Sequence, residues 1–123
     1  MSTVRVTLPF PVSVNAMYRS VRGRVIKSAR YRAWIQQAGL HINAQRPVKI
    51  VGPVHIRLDL VAPDARNRDA DNLLKPVLDL LVAHQIISAD DSTIVRWVHP
   101  EWADSGEPCT VTVTAINPAE ASS

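Results

Sequence analysis

Apolar and polar residues alternate from Thr3 to Leu8, with Val4, Val6 and Leu8 against polar neighbours, which predicts a first strand. The stretch Pro9-Phe10-Pro11-Val12-Ser13-Val14-Asn15 cannot extend a ladder smoothly and reads as an extended loop leading to Tyr18 and Arg19. Arg22-Gly23-Arg24 is a turn signal between Tyr18–Val21 and Val25–Lys27, so a short basic hairpin follows. The period then becomes helical. Ser28 is placed to cap a helix to about Gln45, with Tyr31, Trp34, Ile35, Ala38 and Ile42 toward the core and Pro47 closing it. Val48–Val51 and, after Gly52-Pro53, Val54–Val61 predict a second strand, in which Val54, Ile56, Leu58 and Leu60 alternate with His55, Arg57 and Asp59.

A second helical stripe begins at Asp71, where Leu73, Leu74, Val77, Leu78 and Leu81 share one face. Asp71, Lys75 and Asp79 recur every fourth residue as a polar column, and Asp71 suits the N-cap. Pro76 predicts a tight first turn or a slight kink. The helix lapses near His84-Gln85, Ile86-Ile87 pack back, and Ser88–Asp91 is a turn. Ser92–Trp102 and Pro108–Ile116 predict two last strands, joined at Asp104-Ser105-Gly106 as an antiparallel pair, with Pro100 marking an irregular or edge strand. The expected fold is α+β: a mixed, mostly antiparallel sheet of about four strands covered by two helices, in a single domain over residues 1–116. Residues 117–123 are expected to fray.

Composition narrows the function. A chain of 123 residues supports one core, and no run of 18 apolar residues exists to span a bilayer, so no membrane partner is expected. Arg5, Pro9 and Pro11 interrupt any signal-peptide core. Cys109 is the sole cysteine, which excludes an internal disulfide and a cysteine zinc site and predicts a buried thiol in a reducing, cytoplasmic compartment. The four histidines share no metal-ligand spacing. Charge, by contrast, is strongly segregated. From Met1 to Arg57 there are ten basic residues and no acid; from Leu58 onward there are four basic residues and all eleven acids. The basic half predicts a polyanion surface, with Arg19, Arg22, Arg24, Lys27 and Arg30, joined by Arg66 and Arg68, as candidate DNA contacts.

The acidic half predicts chemistry. Aspartate is common at helix starts, and an Asp71–Lys75 surface pair would contribute only about 0.3–0.5 kcal/mol. Asp69 and Asp71, two residues apart, can reach one ion, and a carboxylate from Asp90-Asp91 would close the site. Hard divalent cations take such oxygen ligands. Lys75 could stabilise charge on phosphoryl oxygens or orient the nucleophile. Neither GxxxxGK[ST] nor GxSxG occurs.

The pattern Arg68-Asp69-x-Asp71-Asn72-Leu73-x-Lys75-x-x-x-Asp79-x-Leu81, followed by Asp90-Asp91, resembles that of the RusA-type Holliday junction resolvases. Leu8-Pro9-x-Pro11-x-Ser13-x-Asn15-x-x-Tyr18-Arg19 is similar to that family's N-terminal loop, so the likeness covers nearly the whole chain. The resemblance implies a homodimeric endonuclease, often phage- or prophage-encoded, that uses magnesium (manganese as the alternative) and nicks four-way DNA junctions symmetrically. It also implies that Asp69, Asp71 and Asp91 are the metal-binding catalytic acids and Lys75 the catalytic lysine. The connection from Asp79 is one residue longer than the family pattern, so Asp90 and Asp91 both stand as ligand candidates, with Asp91 preferred; residues 48–54 read as an insertion. Two nicks require two sites, and Val95, Trp97 and the C-terminal valines are candidates for the dimer surface. Competing readings are a non-catalytic nucleic-acid-binding module, whose acids only cap a helix, and a small metal-dependent phosphohydrolase. Only the endonuclease uses both the charge segregation and the acidic cluster.

Overall fold

The structure, a computed structural model, describes residues 2–116. The residues 117–123 expected to fray lie outside that range. Strict alternation builds β1 (Thr3–Leu8), where Val4, Val6 and Leu8 are buried while Thr3 and Arg5 are exposed. The proline-rich loop ends in one 3-10 turn at Val14–Ala16. After it, β2 (Tyr18–Val21) and β3 (Arg24–Lys27) pair antiparallel as a separate hairpin. Arg22 and Gly23 form its turn with φ of 52° and 78°, the pair of positive values that a two-residue turn matched to strand twist demands. No hairpin residue is buried. Its base is tied down instead, because the Ser28 N–H donates to Met17 O at 2.8 Å and the Ser28 hydroxyl to Ala16 O at 2.6 Å.

Ser28 also starts α1 (Ala29–Gln45), its Oγ accepting the Tyr31 N–H at 3.1 Å. The helix packs on β1 through Tyr31, Trp34, Ala38 and Ile42, with Ile35 half-buried at the margin. Its last residue, Gln45, finishes the sheet edge: the side-chain amide donates to Thr7 O and accepts the Thr7 N–H, both at 2.8 Å. A free strand edge is thereby partly capped by a carboxamide. Residues 48–51 do not form the expected strand. Only Ile50 is buried, its N–H bonded to Ile86 O at 2.9 Å, while Val51 is 90% exposed. With one apolar anchor and Pro47 and Pro53 on either side, the segment has no ladder to join.

In β4 (Val54–Val61) the four alternate apolar residues are completely buried. A 3-10 turn (Ala70–Leu73) leads into α2 (Leu74–Ala83), then β5 (Val95–Ala103) and β6 (Cys109–Ala115). The sheet order is β1-β6-β4-β5. β6 runs antiparallel to both β1 and β4, while β5 runs parallel to β4. The expected β5–β6 antiparallel pair is therefore corrected. A parallel β4–β5 pair needs a long crossover, and α2 is that crossover. The connection from β5 then passes β4, and β6 inserts between β4 and β1. Pro100 sits within β5, the edge strand, where a missing N–H is tolerated. β6 is central, and Val111 and Val113 are completely buried. The C-terminal valines thus belong to the core and not to a dimer surface, whereas Trp97 is 46% exposed.

Candidate active site

The loop after β4 is shaped by one acid. Asp64 accepts both terminal nitrogens of Arg68 at 2.7 and 3.0 Å, the Arg66 N–H at 2.9 Å, and Arg66 Nε at 3.3 Å. Arg68, then the Arg66 contacts, hold the Asp64 carboxyl well below the usual carboxylate range. The Arg68 guanidinium also lies over the Phe10 ring at 5.5 Å, and Phe10 stacks on Trp102 at 6.3 Å. Arg68 therefore fixes the loop within the chain, while the Arg66 side chain remains 75% exposed. The sequence marked both arginines as DNA contacts but did not mark Asp64, although its i,i+4 spacing to Arg68 was visible.

This loop delivers Asp69 to the N-cap of the 3-10 turn, with φ −94° and ψ 116° and no capping hydrogen bond from its side chain. Asp71 lies inside the turn, so the expected Asp71 cap is corrected: Asp69 holds the N-cap position of the turn and Leu73 that of α2, neither with a side-chain capping bond. Pro76 accounts for the tight start: as the third residue of α2 its missing N–H falls where none is needed. Asp69 faces a cleft of about 610 Å³, lined also by Ser13, Arg30, Arg66, Asn67 and Asn72. The basic half of the chain thus meets the acidic half in one concavity.

The Asp71-Lys75-Asp79 column resolves into a different pairing. Lys75 Nζ donates to Asp79 Oδ1 at 2.8 Å and to Asp90 Oδ2 at 3.3 Å. Asp79 first, then Asp90, raise the Lys75 pKa, so the ammonium is charged at neutral pH. Tyr31, on α1, is raised by burial and next by the Asp79 charge. Asp91 turns back on its own loop, its carboxylate accepting the Thr93 hydroxyl and the Thr93 N–H, the latter at 2.9 Å. The Thr93 hydroxyl, then that N–H, lower the Asp91 pKa. Lys75 is therefore the bridge between the two acidic stretches.

The oxygen donors have the right chemistry for a hard divalent cation. However, among the described residues no group of three or more His, Cys, Asp or Glu converges to hold a metal ion. In the second acidic pair, Asp90 is engaged by Lys75 and Asp91 by Thr93. Asp69 and Asp71 are both exposed, and of the two Asp69 lines the cleft. That arrangement suits magnesium, which uses one or two carboxylates and completes its shell with water and substrate phosphate. Of the candidate DNA contacts, Arg30 lines the cleft, and Arg19, Arg22, Arg24 and Lys27 stand exposed on the hairpin.

Residues 9–114 match the family described as Endodeoxyribonuclease RusA. The crossover junction endodeoxyribonuclease RusA of Escherichia coli (strain K12) is 42% identical over 82 residues, which are 66% of this chain and 68% of that protein. The protein of that name from Shigella sonnei (strain Ss046) is also 42% identical, and that from Enterobacteria phage 82 is 39% identical, each over the same shares. A mixed α+β domain with a cleft lined by both arginines and aspartates beside a basic hairpin is, on these likenesses, an endodeoxyribonuclease. More narrowly, the chain belongs to the RusA family.

Proposed function

We propose that this endodeoxyribonuclease resolves four-way DNA junctions by paired symmetric nicks, in a magnesium-dependent reaction. The observation that carries the reading is the meeting of Arg30 and Asp69 in one cleft, with the basic hairpin rooted close by at Ser28. Arg19, Arg22, Arg24, Lys27 and Arg30 would grip the phosphate backbone, which positions a nucleic acid without reading its sequence. Asp69 and Asp71 would hold magnesium or manganese, with Asp90 or Asp91 as a further ligand once released from Lys75 or Thr93. Such an ion polarises a scissile phosphate and lowers the pKa of an attacking water. Lys75 would offer its ammonium to the phosphoryl oxygens as negative charge builds on them.

Two opposing strands must be cut, so we place two copies about a two-fold axis. On the edge strand β5, the exposed Trp97, stacked with His99 at 5.5 Å and near His55 of β4 at 5.6 Å, offers an aromatic surface for that contact. No helix among the described residues is long and apolar enough to cross a membrane, and work on DNA fits a cytoplasmic setting. The test is incubation with an end-labelled four-way junction, with and without magnesium, beside a linear duplex. Magnesium-dependent cutting of the junction alone is expected. Binding without cutting would favour the non-catalytic module, and equal cutting of the duplex would remove junction selectivity.

A further inference from the structure

Lys75 makes a contact that stability does not explain. Asp79 is the sixth residue of the ten-residue α2, and aspartate is a poor residue for a helix interior. It follows lysine at i,i+4, the weaker order for a helical ion pair, and places negative charge in the half of the helix whose dipole disfavours it. The pair is also partly open to solvent, with side chains 54% and 31% exposed, where an ion pair contributes modestly to folding. Yet the contact is the shortest that Lys75 makes, 2.8 Å against 3.3 Å to Asp90.

A lysine ammonium has three donors on a flexible four-carbon stem, so an unrestrained Lys75 would sample many rotamers over the site. Two carboxylates, one a turn further along the same helix and one from the turn before β5, fix the nitrogen from two directions and leave one donor over. Asp90 is itself a metal-ligand candidate, whereas Asp79 has no other assignment in the site. We propose that Asp79 is a positioning residue, which holds the Lys75 ammonium where the scissile phosphate will lie. This rests on the proposed role of Lys75 at that phosphate. Asp79 touches neither DNA nor metal and acts only through the lysine.

The test compares Asp79→Asn, Asp79→Glu, Lys75→Ala and the double variant Asp79→Asn/Lys75→Ala. Each is measured for binding to a four-way junction without metal and for single-turnover cutting of the bound junction with magnesium. Asp79→Asn should slow cutting by about 10–100-fold, the scale on which misplacing a catalytic group acts, with binding unchanged. Asp79→Glu, which keeps the charge, should recover part of the rate. The double variant should cut no more slowly than Lys75→Ala alone, because Asp79 has nothing left to position. Wild-type cutting by Asp79→Asn would overturn the proposal, and so would a double variant markedly slower than Lys75→Ala, which would make Asp79 a folding residue. Lys75→Ala cutting at the wild-type rate would remove the lysine's role and the positioning with it. A wild-type protein that leaves junctions intact would instead overturn the junction reading itself, and the positioning built on it.

Discussion

Aspartates that look alike in the sequence are put to different uses by the fold. Asp64 ties a loop together, Asp91 ties a turn, Asp79 and Asp90 hold a lysine, and Asp69 faces the cleft. Asp69→Asn and Asp71→Asn should each abolish cutting while junction binding is kept or tightened. Each change would take a charge from the proposed metal site and at the same time lessen repulsion toward phosphate. Gel-shift and cleavage assays on the same preparation check this, and cutting near the wild-type rate by either variant would shift the metal site elsewhere. At the opposite extreme of exposure, burial pushes the Cys109 thiol up from 9.0 to about 12. The thiolate is therefore disfavoured in the folded state, and the thiol should resist labelling at pH 8 until urea unfolds the protein. The linked stability has a definite sign. It is fully present below pH 9 and declines as pH rises toward 12, because only the unfolded chain then ionises; Cys109→Ser should flatten that alkaline loss in urea titrations.

Among the elements, the hairpin and α2 contrast in what they contribute. The β2–β3 hairpin buries no residue, and its basic side chains stand exposed to a partner. Neutralising Arg22, Arg24 and Lys27 together should leave the urea midpoint nearly unchanged while weakening junction binding. It should reduce the slope of log affinity against log salt by about three units, one for each phosphate that is no longer neutralised. An unaltered slope would place the DNA surface away from the hairpin. α2 does the reverse. It buries Pro76, Val77, Leu80 and Leu81 on one side and presents Lys75 and Asp79 on the other, so the stripe that anchors the helix also sets the direction of its polar residues.

At the scale of the whole molecule, each chain brings a single copy of the Asp69 cleft, and the proposed symmetric nicking needs two. We expect a stable two-fold homodimer at micromolar concentration, measured as mass by sedimentation equilibrium. A mixed dimer of wild-type and Asp71→Asn chains should nick one strand and stall. A monomeric mass, or full resolution by the mixed dimer, would remove the paired-site mechanism. Trp97→Ser on the exposed edge strand should weaken association if that strand forms the interface, since buried aromatic anchors dominate such surfaces.

Local pattern alone determined much of this protein. Alternation in β1 and β4, the Ser28 cap, the Arg22-Gly23 turn and the apolar stripe of α2 are all short-range, because each depends on neighbours within a few residues. The family, too, was legible, since its motif is a contiguous run of residues from Arg68 to Leu81. Partnership between distant segments was not. The last two strands are adjacent in sequence yet are separated by β4 in the sheet, because a parallel crossover through α2 takes β5 to the far side. The same holds in the site. Periodicity put Lys75 in one column with Asp71 and Asp79, but only the return of the chain after α2 sets Asp90 within 3.3 Å of it and turns Asp91 onto Thr93. Residue spacing determines which groups share a face; packing decides which of them reach one another.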